Sequence, residues 1–191
     1  MKRIQINFQI LILTYVIMKK SFLVVLFFTI VQAGLLAVNP PIYIAFQWHM
    51  HQPIYQPGET VIETQNSGVL SYNLYDVFTS RTGPYTTWPS NAVNKMLSFD
   101  HAGAQVSFSG SLVENLNVLE ANGIGFSNWK SAWQSMIPKK TSLGNQRMDM
   151  VGFGYHHPIM PLIDREDIEK QIQKHKEAFA ANFPGLPYSK G

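Results

Sequence analysis

The 191-residue sequence contains no cysteine. Thiolate nucleophiles, cysteine-ligated zinc, iron–sulfur clusters and disulfide staples are therefore excluded together, and any folded body must be held by its core. Charge is scarce as well, with only 14% of residues Asp, Glu, Lys or Arg. No acidic residue occurs before Glu59, whereas Lys2, Arg3, Lys19 and Lys20 fall within the first 33 positions. Of the 15 basic residues those four leave 11 against 12 acidic ones, so the net charge of +3 belongs to the N-terminal leader and the body is near neutral. Nucleic-acid binding needs a basic stripe on the folded part, and the body offers none. Internal repeats and low-complexity tracts are missing too. Apolar residues (46%) and aromatic rings (13%) are plentiful, which argues against disorder and suffices for one sizeable core.

Residues 1–37 read as a leader. A diluted apolar run from Ile4 to Met18 precedes Lys19-Lys20, and a second run, "SFLVVLFFTIVQAGLLAV", follows. A basic flank, an apolar stretch and the small-residue site Val31-Gln32-Ala33 describe a secretory signal peptide. The expectation is a translation start at Met18, cleavage near Ala33 and a secreted body over 38–191. The competing reading is an uncleaved anchor, which would be the chain's one membrane contact.

The body alternates. "IYIAFQW" is an apolar strand suited to a sheet covered on both faces, stopped by Pro53. Gly58 to Tyr85 lacks clean periodicity and reads as a long loop with one helical turn near Leu74–Phe78. "WPSNAVNKML" then predicts a helix with Pro89 in its first turn. "AQVSFSG" predicts a strand. "SLVENLNVLEANG" predicts a helix opened by a Ser111-x-x-Glu114 capping box. "FSNWKSAWQSM" is a shorter helix, and "RMDMVGFGY" a strand. From Asp164 a long amphipathic helix aligns Ile168, Ile172, His175, Phe179 and Phe183 on one face. Strand, helix, strand, helix, strand, helix is the order of βα units with a parallel sheet or barrel.

In such an array ligands gather at the carboxyl ends of the strands. "WHMHQP", "SGSLVEN" and "GYHHPIMPL" all fall there. Residues i and i+2 of an extended segment share a face, so His49 and His51 can address one pocket, joined by one of the adjacent rings His156 and His157. Neutral imidazoles and Gln52 offer donors and acceptors to hydroxyls, and the same histidines could hold a metal. Trp48, Trp88, Trp129 and Trp133 are core or interface residues by default, with Trp48 singled out by its neighbours. Glu114 is accounted for by its cap, and Asp149 could reach the rim.

"WHMHQP" and "YHHPIMPL" resemble the first and second sequence blocks of glycoside hydrolase family 57, whose members act on α-glucans. The likeness runs from about Ile42 to Leu162, with "FSGSLVENL" in keeping. Asp149 stands eight positions before His157, where the family usually has Glu. The resemblance implies a (β/α)7 barrel, here partial and ending after the third or fourth unit, and a retaining mechanism on an α-glucan polysaccharide or maltooligosaccharide. It implies no cofactor and no metal. Trp48, His49, His51, Gln52, Tyr155 and His157 would contact the sugar, with Asp149 and His156 as further candidates. Both catalytic carboxylates, a Glu and an Asp, are expected beyond Gly191, so the chain alone is expected to be inactive. Two other readings stay open. One is a metal-dependent polysaccharide deacetylase or amidohydrolase with His49, His51 and His157 as ligands; the other is a non-catalytic carbohydrate-binding protein.

Overall fold

Four short parallel strands form the centre of the body. The structure, a computed structural model, describes residues 13–26, 42 and 44–189. The chain divides into two compact units, residues 1–44 and 45–191. In the first, residues 13–26 form helix α1, while the expected cleavage site near Ala33 lies outside the described residues. Among the described residues no helix is long and apolar enough to cross a membrane.

In the second unit, strands β1 (Gln47–Met50), β2 (Ala104–Phe108), β3 (Met148–Val151) and β4 (Tyr188–Ser189) pair side by side in chain order. Every pairing is parallel, with His49 opposite Ser107, Gln105 opposite Asp149 and Met150 opposite Tyr188. Parallel neighbours need crossovers. Helices α2 (Val61–Ser67), α3 (Leu74–Thr79), α4 (Thr82–Tyr85) and α5 (Trp88–Lys95) join β1 to β2. Helices α6 (Gly110–Ala121) and α7 (Ser131–Gln134) lie between β2 and β3. A 3₁₀ turn at Met160–Leu162 and helix α8 (Arg165–Asn182) lead to β4.

Alternation divides the sheet into two faces. Met50, Val106, Phe108, Met148 and Met150 are buried on one face. There Phe108 meets Trp133 at 5.1 Å between ring centroids, Phe183 at 5.9 Å and Trp129 at 6.0 Å. Leu112, Leu116 and Leu119 of α6 close the same core. Intervening residues Gln47, His49, Gln105, Ser107 and Asp149 occupy the other face, where Gln47, His49 and Gln105 are exposed. Among the described residues the apolar packing lies on one face, while the other carries the buried Ser107 beside exposed polar side chains. The apolar run before β1 lies largely outside the strand, which begins at Gln47 and takes in His49.

Three further expectations need correction. The stretch 58–85 is helical over most of its length, because Thr60 and Glu63 form a reciprocal capping box that starts α2, and Asn73 caps α3. Helix α6 is capped by Ser109, whose hydroxyl accepts the Leu112 N–H, so Ser111 lies inside the helix and Glu114 is no cap partner. On α8 only the second half of the stripe is inside, since Ile172 is 42% exposed while His175 and Phe179 are buried.

Candidate functional site

The loops that follow β1, β2 and β3 are fastened to one another by hydrogen bonds. Ser109 N–H donates to the Met50 carbonyl at 3.0 Å, and Ser111 Oγ donates to the Gln52 carbonyl at 2.7 Å. Asn115 Nδ2 donates to the Pro53 carbonyl at 2.9 Å. On the other side, Ser111 N–H donates to the Tyr155 carbonyl, and the Tyr155 and His156 N–H groups are taken by Gln171 of α8. Tyr155 can lie over the start of α6 only because residue 110 is glycine. A Cβ there would stand 2.1 Å from Tyr155 Cδ2.

This fastening brings His157 against His49 of β1 and against His51 just beyond the strand. Its ring centroid is 4.6 Å from that of His49 and 4.9 Å from that of His51, while His49 and His51 are 6.3 Å apart. Phe153 leans on the group, 5.1 Å from His157 and 5.5 Å from His49. His49 Nδ1 lies 2.8 Å from Ser107 Oγ. His157 has φ of 58°, a left-handed backbone costing a non-glycine residue roughly 1–2 kcal/mol. Local strain of that kind gathers at functional sites.

Burial lowers the pKa of His49, with the neighbouring His157 adding to it. His51 is pushed down to about 4 by burial first and then by His157, His49 and His156. Near neutral pH both rings are therefore uncharged, each with one donor and one acceptor nitrogen. His51 Nδ1 is buried with no hydrogen-bond partner among the described residues. A cavity of about 270 Å³ opens beside His49 and His157, lined also by Ser107, Phe153 and Met160 but not by His51. That is slightly below the ~300–1,000 Å³ of complete small-molecule pockets. A second cleft of about 510 Å³ lies between Ile54, Glu59, Glu114 and His156.

The expected residues separate into groups. His49, His51 and His157 come together. His156 diverges from His157, its ring 4.7 Å from that of Tyr155. Tyr155 is half-buried and donates from its hydroxyl to Glu114 Oε2 at 2.8 Å. Gln52 is held between two phenols, accepting from Tyr55 at 2.6 Å and donating to Tyr85 at 3.0 Å. Asp149 stands half-buried on the polar face of β3, opposite Gln105. Trp48 requires correction. It shares the face of Met50, packs on the core and does not join the histidines, because adjacent strand residues point to opposite sides. Ser107 and Phe153 escape the sequence reading, and Glu114, read as a cap partner, instead accepts from Tyr155. Period-two alternation with His49 across the sheet could have indicated Ser107. No local pattern marks Phe153.

A family model, Glycosyl hydrolase family 57, matches residues 45–187. The chain belongs to this family. Among curated relatives of this family 57 chain, a protein named Alpha-amylase from Niallia circulans is 33% identical over 111 residues, covering 54% of the chain and 8% of the relative. The crystal structure of the 4-alpha-glucanotransferase from Thermococcus litoralis aligns with TM-score 0.43 and 20% identity over 74% of the chain and 17% of that protein. The chain spans under a fifth of the length of either protein. For the metal reading, among the described residues no three His, Asp or Glu side chains are arranged to hold a metal ion.

Proposed function

We propose that this chain is the N-terminal part of the (β/α)7 catalytic barrel of an α-glucan-active glycoside hydrolase or 4-α-glucanotransferase, and that His49, His51 and His157 line the wall that receives one glucosyl ring. The observation that carries this reading is the meeting of imidazoles 108 positions apart in the chain, on the polar face of a sheet in a family 57 chain. Uncharged rings with paired donor and acceptor nitrogens suit a neutral polyol better than an anion. Their work is to bind and orient. Retaining cleavage needs a carboxylate nucleophile and a carboxylic acid about 5 Å apart across the scissile bond, and the reading assigns neither role to a residue of this chain. A secretory leader ending near Ala33 belongs to the same proposal. N-terminal sequencing of exported protein checks it, and a start at Met1 or Met18 would count against cleavage.

Calorimetric titration with maltotriose tests the binding reading. The wild-type chain should bind, and His49→Ala and His157→Ala should each weaken binding by roughly tenfold, the loss of about 1.4 kcal/mol of hydrogen bonding. Starch incubated with the chain alone should release no reducing sugar. Absence of maltotriose binding by the folded wild-type chain would overturn the assignment, and sugar release would overturn the inactivity.

A further inference from the structure

His175 is the one fully buried histidine of the described residues, and it stands outside the cluster. Its Nε2 faces the Phe108 backbone carbonyl, and its Nδ1 lies 2.7 Å from the Tyr188 hydroxyl. A carbonyl can only accept, so Nε2 carries the proton. Nδ1 is then the acceptor, and the Tyr188 hydroxyl donates to it. The ring stacks on Phe179 at 4.5 Å and meets Phe153 at 5.1 Å on another side. Phe153 is the ring on which His49 and His157 lean. Gly152, directly before it, leaves room for Tyr188, since a Cβ there would be 2.4 Å from the tyrosine oxygen.

A leucine or phenylalanine at 175 would fill this helix face without the desolvation cost of an imidazole. Satisfied on both nitrogens, a buried polar ring instead fixes a single arrangement of its partners. Those partners are the end of β2, strand β4 and the ring beneath the site. We infer that His175 is a positioning residue for the histidine cluster: through Phe153 it sets the support of His49 and His157, and through Tyr188 it ties that support to β4. The inference rests on the reading of the cluster as the sugar-binding wall, but its main test uses no sugar.

In the full chain labelled with ¹⁵N histidine, the imidazole spectrum should show His175 as the Nε2–H tautomer. His175→Phe keeps a ring and removes both hydrogen bonds, and Tyr188→Phe removes a single hydroxyl. Each variant should shift the His49 and His157 ring resonances at unchanged far-ultraviolet circular dichroism. Maltotriose affinity should fall about tenfold in the first and roughly threefold in the second, the scale of one or two lost hydrogen bonds. If His175→Phe fails to fold, Tyr188→Phe, which retains the packing, decides alone. Unmoved His49 and His157 resonances in either folded variant would overturn the positioning role. A wild-type chain that binds no maltotriose would remove the glucan reading while leaving the resonance test valid.

Discussion

One sheet carries two chemistries on its two faces, drawn from alternate residues of the same strands. Met50, Val106, Phe108 and Met150 look into a core closed by two tryptophans and by α6. His49, Gln105, Ser107 and Asp149, each one position away from such a residue, look the other way. On the first face, burial of apolar area stabilises, and every side chain is near others it cannot lose cheaply. On the second, His49 meets Ser107 through a hydrogen bond and Phe153 and His157 through ring contacts, while Gln47, His49 and Gln105 stay exposed. The comparison teaches that stability and binding are separated here by a single step along a strand.

The largest test falls on the core face. Phe108→Ala removes the ring that meets Trp129, Trp133 and Phe183, and should cost about 3–5 kcal/mol in a urea unfolding titration. A loss under about 1 kcal/mol would mean the core collapses around the gap and the contrast is weaker than drawn. Acidification comes next. His49, His51 and His175 all have pKa values held below the ordinary 6.5 by burial. Above pH 6.5 folded and unfolded chains are alike in having these rings neutral. Below it the unfolded chain takes up protons that the folded chain refuses, so stability falls as pH drops towards the folded values, about 4 for His51. Urea midpoints measured from pH 7 to 5, above the carboxylate range, should decrease, and His51→Gln should flatten the slope. A pH-independent midpoint would show that folding does not lower the proton affinity of these rings. The smallest stability effect belongs to His49→Ala, expected at no more than about 1 kcal/mol for an exposed site with one hydrogen bond. Should it rival Phe108→Ala, the polar face would be core in disguise.

How much of this was legible in the sequence depended on whether the deciding interaction was local. Helix α5, with Pro89 in its first turn, and α8, with acidic residues in its first turn, follow rules that act within a few residues. Strand β2 lies where the alternation around Val106 and Phe108 puts it, and β3 occupies the first part of the stretch that reads as a strand. The 58–85 stretch reads as a loop because Thr60-x-x-Glu63, a local cap, precedes helices too short to show a period. Ser109 and Ser111 are equally good caps on paper, and the choice between them is tertiary: Ser111 Oγ is committed to Gln52, freeing Glu114 to meet Tyr155. At the site, the i, i+2 rule aligned His49 with His51, and the order of the two blocks suggested His157. That same rule should have turned Trp48 away from the histidines. His175 was legible only as an apolar-face position, since its partners Phe108 and Tyr188 are 67 and 13 positions distant.

At position 110 a lone hydrogen faces the Tyr155 ring, where a methyl group would not fit. Replacing it by alanine, among the mildest changes protein chemistry offers, would push the tyrosine aside and with it the turn that presents His157. A chain so altered could keep its helices and its core and still lose its grip on a ligand. Damage to this site can therefore originate where no side chain exists to be counted among its members.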